Sequence, residues 1–258
     1  MNHTFVIPAY KESPYLEECV KSLQSQTVKS KILITTSTPS EFLNTISVKY
    51  EIPLIVNPER KGIAQDWNFS FSLAETDHVT LAHQDDVYCV DYTEKCLKKA
   101  EKHPGNLIIF TGYSELYGSE KVSNNLLLII KRILLLPYFF TDNIDNKVMK
   151  KSLLLFGSPI SCPGVMYNKK NLKNFSFDEK FTVNMDWNAW IELSCRKGGF
   201  VYEKSSLFLH RIHEEAETSK AFTDSRRKDE DIILFKKMWP DILAQLLAKL
   251  YSLSYRSK

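Results

Sequence analysis

Short β-rich runs alternate with amphipathic helical stretches through the first half of this chain. "TFVIP" (4–8) predicts a buried strand. Ser13 and Pro14 then supply an N-cap and a first-turn proline for a helix that places Leu16, Cys19, Val20 and Leu23 on one face, with Glu17 and Glu18 in its early turns, where the helix dipole favours acids. "KILIT" is a second strand, "EFLNTISVKY" a second helix and "PLIV" (53–56) a third strand. After the turn at "NPERKG", Ile63, Trp67, Phe71 and Ala74 recur at helical spacing, and "HVTLA" returns to the sheet. Strand and helix in regular alternation predict an α/β fold with a mostly parallel, Rossmann-like sheet, and such sheets bind ligands at the carboxyl ends of their strands.

The rhythm loosens after "LIIFTGY". A helix is expected around 126–136, then a loop through "TDNIDN", then "GSPISCPGVMY", which is rich in turn formers and ends in a strand. "MDWNAWIELSCRKGGF" reads as a helix stopped by Gly198 and Gly199, "SSLFLHRIH" as a last strand, and 226–255 as helices broken at Pro240. Trp187 and Trp190 along that helix fit core packing.

The apolar run at 126–140, "LLLIIKRILLLPYFF", contains Lys131, Arg132 and Pro137 and is too short to span a bilayer. As a helix it gathers the two cations on a narrow stripe. Buried packing, an oligomer contact and a membrane-surface helix all fit that pattern.

At 258 residues, 43% hydrophobic and 25% charged, the chain is long enough for one sizeable domain with an extension. The net charge of +3, with cations scattered among acids, gives no reason to expect nucleic acid as a partner. The basic stretches "KKAEK", "RRKDED" and "YRSK" fit solvated helix faces, and the last could also meet anionic lipid. Five cysteines, irregularly spaced and without a C-x-x-C pair, suggest neither a disulfide framework nor a zinc site. With no leader pattern in "MNHTFVIPAY", a cytoplasmic location is the expectation, either free or peripheral at the inner face of the membrane.

Candidate chemistry begins at "LAHQDDVY", where a buried run ends in adjacent carboxylates, Asp85 and Asp86. Like charges so close disfavour joint ionisation unless a cation sits with them, so the pair reads either as a metal-binding corner or as a solvated turn. Asp186 precedes a helical run and, on the residues alone, reads as a helix cap. His213, on the residues alone, fits a solvated or packed histidine better than a ligand.

"FVIPAYKESPYLEECVKSLQSQT" resembles the opening of glycosyltransferase family 2. "NPERKGIAQDWNFSFSLAETDHVTLAHQDD" resembles its next block, which ends in a DXD-like motif. "CPGVMYNKKNL", "DWNAWIEL" and "HRIHEEAETS" resemble three later blocks in the expected order. The resemblance implies a GT-A fold over 1–220, with a nucleotide-sugar half to about 112 and an acceptor half from about 113, followed by a helical C-terminal extension over 221–258.

It further implies an inverting, metal-dependent transferase, using Mn2+ or Mg2+, that moves a sugar from a nucleoside diphosphate, expected to be a UDP-sugar, to a glycan, lipid-linked or protein acceptor. Asp85 aligns with the metal-holding acid, Asp86 with its acidic neighbour, and Asp186 with the general base. Pro8, Ala9, Tyr10, Glu12, Thr36, Lys61, Asn68, Gln84, Arg211 and His213 align with positions that bind the nucleotide sugar. His83 stands where many relatives carry the motif's first acid, and Thr35 and Thr36 stand where relatives carry acids, so the nucleobase is left open. A catalytically degenerate member acting as a scaffold or partner of another transferase is the alternative.

Overall fold

The computed structural model describes residues 2–59, 62–213 and 225–253. Its centre is one mixed sheet of ten strands in which β1 (His3–Ala9), β2 (Lys31–Thr36), β3 (Leu54–Val56) and β4 (His78–Leu81) run parallel in the order β3-β2-β1-β4. The sheet continues through β9 (Val165–Asn168), which is antiparallel to its neighbours, to β6 (Asn106–Tyr117) and β10 (Gly199–Ile212). The longest ladder, between β6 and β10, is parallel. Three short strands complete the sheet: β5 (Val87–Tyr88) and β8 (Asn143–Ile144) pair with β10, and β7 (Glu120–Val122) pairs with β6.

Both faces of the sheet are covered, so its strands are apolar on both sides. Along β1, Val6 joins one core cluster while Phe5 and Ile7 join the other. Helices α1 (Leu16–Gln24), α2 (Glu41–Tyr50) and α4 (Tyr92–Lys102) pack Leu16, Leu43 and Leu97 into the second cluster. Helices α3 (Ile63–Leu73), α7 (Met185–Ser194), α8 (Ser225–Lys236) and α9 (Asp241–Leu253) pack Phe71, Trp190, Phe235 and Ala248 into the first. Trp187 and Trp190 are both buried, as the core reading expects. The two C-terminal helices thus share a core with the sheet. Helix α5 (Leu126–Leu134) contributes Leu128 to one cluster, and Leu135 just after it joins the other. Helix α6 (Lys147–Ser152) is inserted between β8 and β9.

Three local expectations change. Ser13 does not cap α1: its hydroxyl is turned to Asp85, and the helix begins at Leu16. Helix α7 ends at Ser194, and Gly199 starts a fourteen-residue strand; Gly198, at φ +119, makes the turn, where a Cβ would meet the Gly105 carbonyl at 2.7 Å. Among the described residues all five cysteines are free, and no helix is long and apolar enough to cross a membrane.

Candidate active site

Asp85 and Asp86 follow the buried end of β4 and precede the two-residue strand β5. Because Val87 opposes Leu209 across the β5–β10 ladder, Asp86 is brought beside His210 and Arg211. Its Oδ1 accepts from the Arg211 amide at 2.9 Å and lies 3.1 Å from His210 Nδ1. The residue is 1% exposed, and its Oδ2 is buried without a hydrogen-bond partner.

Asp85 is the more open of the two. Its Oδ1 accepts from Ser13 Oγ at 2.5 Å, and Oδ2 lies 3.3 Å from His213 Nε2. Its backbone carbonyl accepts from Arg211 Nε at 2.9 Å. The Arg211 guanidinium also donates to Glu18 at 2.5 Å and stacks over Tyr15 at 4.4 Å. Arg211 is 5% exposed and committed to protein partners, so it braces this corner and leaves the His213 ring beside the more open carboxylate.

Among the described residues no three His, Cys, Asp or Glu side chains gather into a site that could hold a metal by themselves. Asp85 and the buried Asp86 Oδ2 offer hard oxygen donors, too few for a resident ion. They fit a divalent cation that completes its coordination with substrate phosphates, the usual arrangement for magnesium and manganese.

The first loop is pinned to this corner. The Gln84 side chain accepts from the Tyr10 amide and donates to the Tyr10 carbonyl, both at 3.1 Å. Pro8 and Ala9 end β1 next to Thr35 and Thr36 of β2, while Tyr10 and Glu12 are exposed. Thr36 Oγ1 accepts from the Thr38 amide at 3.0 Å.

Asp66 was not evident in the sequence. It sits in the first turn of α3 and accepts from Ser37 Oγ and Asn57 Nδ2, each at 2.8 Å, so a carboxylate does stand at the β2 end although Thr35 and Thr36 are neutral. Asn68 has both amide atoms engaged by the Phe177 backbone, at 2.7 and 2.9 Å, and braces α3. Lys61 lies outside the described residues. His83 is half-buried against Trp67, at 5.1 Å between rings, and desolvation lowers its pKa, so it packs as an uncharged ring.

Asp186 is the second residue of α7, and its Oδ1 accepts from the Trp187 amide at 2.7 Å. The turn that leads into α7 is held from elsewhere. Glu230 of α8 accepts from the amides of Thr182, Val183 and Asn184, at 2.7 to 3.0 Å, and from the Thr182 hydroxyl at 2.9 Å. Burial raises the Asp186 pKa, opposed by the Trp187 amide and the charges of Lys131 and Arg227. Lys131 reaches inward from α5 and donates to Tyr113 Oη at 2.9 Å; burial works against its charge, but Tyr113, Tyr251 and Asp186 outweigh it and its pKa is raised. The buried Cys162 thiol is pushed up by burial, and the charges of Asp186 and Asp86 act on it in the same direction. The chain order gave no sign of Glu230 or Lys131, because each acts across a long sequence separation.

Residues 4–172 match the family described as Glycosyl transferase family 2. No curated protein matches the chain at the level of sequence. Among solved structures, TarS 1-349 of S. aureus in complex with UDP-GlcNAc superposes with a TM-score of 0.67 at 14% identity, covering 99% of this chain and 72% of that one. The mannosyltransferase PcManGT from Pyrobaculum calidifontis, in complex with GDP-Man and Mn2+, gives 0.67 at 13% identity, with 97% and 69% covered. Glucosyl-3-phosphoglycerate synthase from Mycobacterium tuberculosis, with Mn2+ and UDP-Glc, gives 0.61 at 11% identity, with 93% and 80% covered. At such identities the likeness is one of fold, and that fold is GT-A.

Proposed function

Since the chain belongs to glycosyl transferase family 2, we propose that it moves a sugar from a UDP-sugar to an acceptor hydroxyl with inversion, with Asp186 as general base and Asp85 as the carboxylate facing the donor diphosphate. The observation that carries this reading is that the two acids are held in contrasting ways. Asp85 is fixed by Ser13 and His213 yet remains partly open, whereas Asp186 is desolvated and stands at the start of a helix whose leading turn is pinned by Glu230.

Each group then has a distinct task. Asp186 accepts the acceptor hydroxyl's proton as that oxygen attacks the anomeric carbon from the side opposite the diphosphate; the sugar–phosphate bond breaks and the nucleoside diphosphate leaves. A divalent cation, bound together with the donor, supplies countercharge for the leaving diphosphate. His213 adds donor capacity beside Asp85, and Ser13 and Arg211 hold the Asp85 carboxylate and backbone in place. Tyr10, kept in position by Gln84, and Thr36 at the end of β2 border the nucleoside side, where complexes of the fold relatives with UDP and UDP-sugars motivate the choice of uridine. The reaction is assigned to the cytoplasmic side, where nucleotide sugars are available.

Two substitutions separate the steps. Asp85→Asn should weaken Mn2+-dependent UDP binding and turnover together. Asp186→Asn should leave UDP affinity nearly unchanged and lower turnover by roughly a hundred- to ten-thousand-fold, the usual worth of a positioned base. Calorimetric titration of UDP with Mn2+, and UDP release from a panel of UDP-sugars, would measure both. Near-normal turnover by Asp186→Asn removes it as the base, and a native chain that binds UDP but releases none from any donor favours the scaffold alternative.

A further inference from the structure

Helix α5 is built inside out. Its inward side carries Leu128 and the cation Lys131, while Leu126, Ile129, Ile130 and Ile133, spaced i, i+3, i+4 and i+7, form an exposed stripe. The stripe runs on into Phe139 and Phe140, which are 70% and 91% exposed and pack edge to face at 4.9 Å. Helix α9 repeats the pattern: Ala244 and Ala248 are buried, and Ile242, Leu246 and Leu250, four residues apart, face out. The inward faces of the two helices converge, because Lys131 of α5 and Tyr251 of α9 both interact electrostatically with Asp186 and with each other. Two apolar outer faces therefore belong to helices whose inner sides meet around Asp186, with the rings of Tyr251 and Trp187 5.5 Å apart. Such exposure on a folded chain marks an interaction surface.

We propose that the outer faces of α5 and α9 dock this chain onto a bilayer bearing anionic headgroups. Charge decides between occupants. Helix α5 contains no acid, and its exposed charge is Arg132. Helix α9 carries Lys249 beside Leu250, and its one acid, Asp241, stands at the far end, 3.2 Å from Lys236. The sequence after α9 adds Arg256 and Lys258 and no acid. A second copy laid on this face would oppose cation to cation, whereas anionic headgroups meet those cations while the acyl region takes up the isoleucines and the paired phenylalanines. Both helices are too short to span the hydrocarbon core, so they lie on the surface. Insofar as it rests on the proposed transfer reaction, docking brings the helices around Asp186 to the membrane and selects a lipid-linked acceptor. The docking itself stands without that reaction.

The test is flotation of the full chain with vesicles of phosphatidylcholine alone and of phosphatidylcholine with phosphatidylglycerol. The expected result is co-flotation with the anionic vesicles, weakened by salt and by Arg132→Glu, and reduced about tenfold or more by the pair Ile130→Glu and Ile133→Glu. Calorimetric UDP binding with Mn2+ is read on the same proteins and should not change, so failure of docking and failure of the transferase reading are seen separately. Phe140→Ser, at a side chain almost wholly exposed, serves if the double variant does not fold. Absence of flotation with either vesicle, flotation indifferent to these substitutions, or a dimer in light scattering that the isoleucine substitutions dissolve while flotation is absent, would overturn the proposal.

Discussion

Burial raises the pKa of Asp186, and the sign of that shift couples activity to stability. In the unfolded chain the carboxyl titrates near its ordinary value, whereas the folded protein holds the proton to higher pH. Between the two values the native state binds more protons, so folding stability falls as pH rises through that window. Above it, the ionised carboxylate is kept buried at a cost, offset in part by Lys131, Arg227 and the Trp187 amide. Asp186→Asn keeps the shape and the acceptor oxygen for Trp187 and removes the charge. The variant should therefore unfold at higher urea concentration than the native chain at pH 8, with the advantage shrinking toward pH 4. Transfer by the native enzyme should rise with pH through the elevated Asp186 pKa. A stability difference that does not depend on pH would show that the carboxylate carries no burial penalty.

At the scale of elements, what could be read in the sequence followed local periodicity. Strands β1, β2, β3 and β4 and helices α1, α2 and α3 lie close to where two-residue and 3.6-residue patterns put them. The family blocks pointed to Asp85 and Asp186 because each sits at a junction between elements. Two kinds of information were missing. One was pairing across distance: β5 has only two residues and exists because β10 is there to receive it, yet it places Asp86 against Arg211. The other was bracing from afar. Asp186 looked like a cap because an acid early in a helix satisfies free amides, and it does accept from the Trp187 amide, but the turn that leads into α7 is pinned by Glu230 of α8, 46 residues beyond Asn184. Glu230 is 7% exposed and accepts four hydrogen bonds, so Glu230→Ala strands three amides and a hydroxyl. Urea unfolding should show a loss of about 2–4 kcal/mol, the scale expected for buried donors left without a charged acceptor. Single-turnover transfer should fall as well, because the start of α7 carries Asp186. Unchanged stability would mean that water or another side chain takes over those hydrogen bonds.

For the whole molecule, the sheet buries histidines along with its apolar strands, and this sets how the fold responds to acid. His3, on the first strand, is fully enclosed: its Nδ1 lies 2.8 Å from Ser30 Oγ and its Nε2 3.0 Å from Thr80 Oγ1, so the ring ties β1 to the start of β2 and to β4. Burial, with a smaller contribution from His78, lowers its pKa to about 3. His78, at the start of β4, is likewise lowered, chiefly by burial. An unfolded chain takes up a proton on each ring near pH 6.5, whereas the folded protein refuses the proton on His3 until about pH 3. Below pH 6.5 the unfolded state thus binds more protons, and stability, fully present above that value, declines as pH falls. One such group contributes about 1 kcal/mol per pH unit within the window. The urea midpoint of the native chain should accordingly drop between pH 7 and pH 5. His3→Gln cannot take up that proton but can still hydrogen-bond, so it should be less stable at pH 7 and lose less of its stability on acidification. Equal slopes for the native chain and the variant, measured across pH 7 to 5 in the same buffer, would show that His3 is not the source of the acid sensitivity.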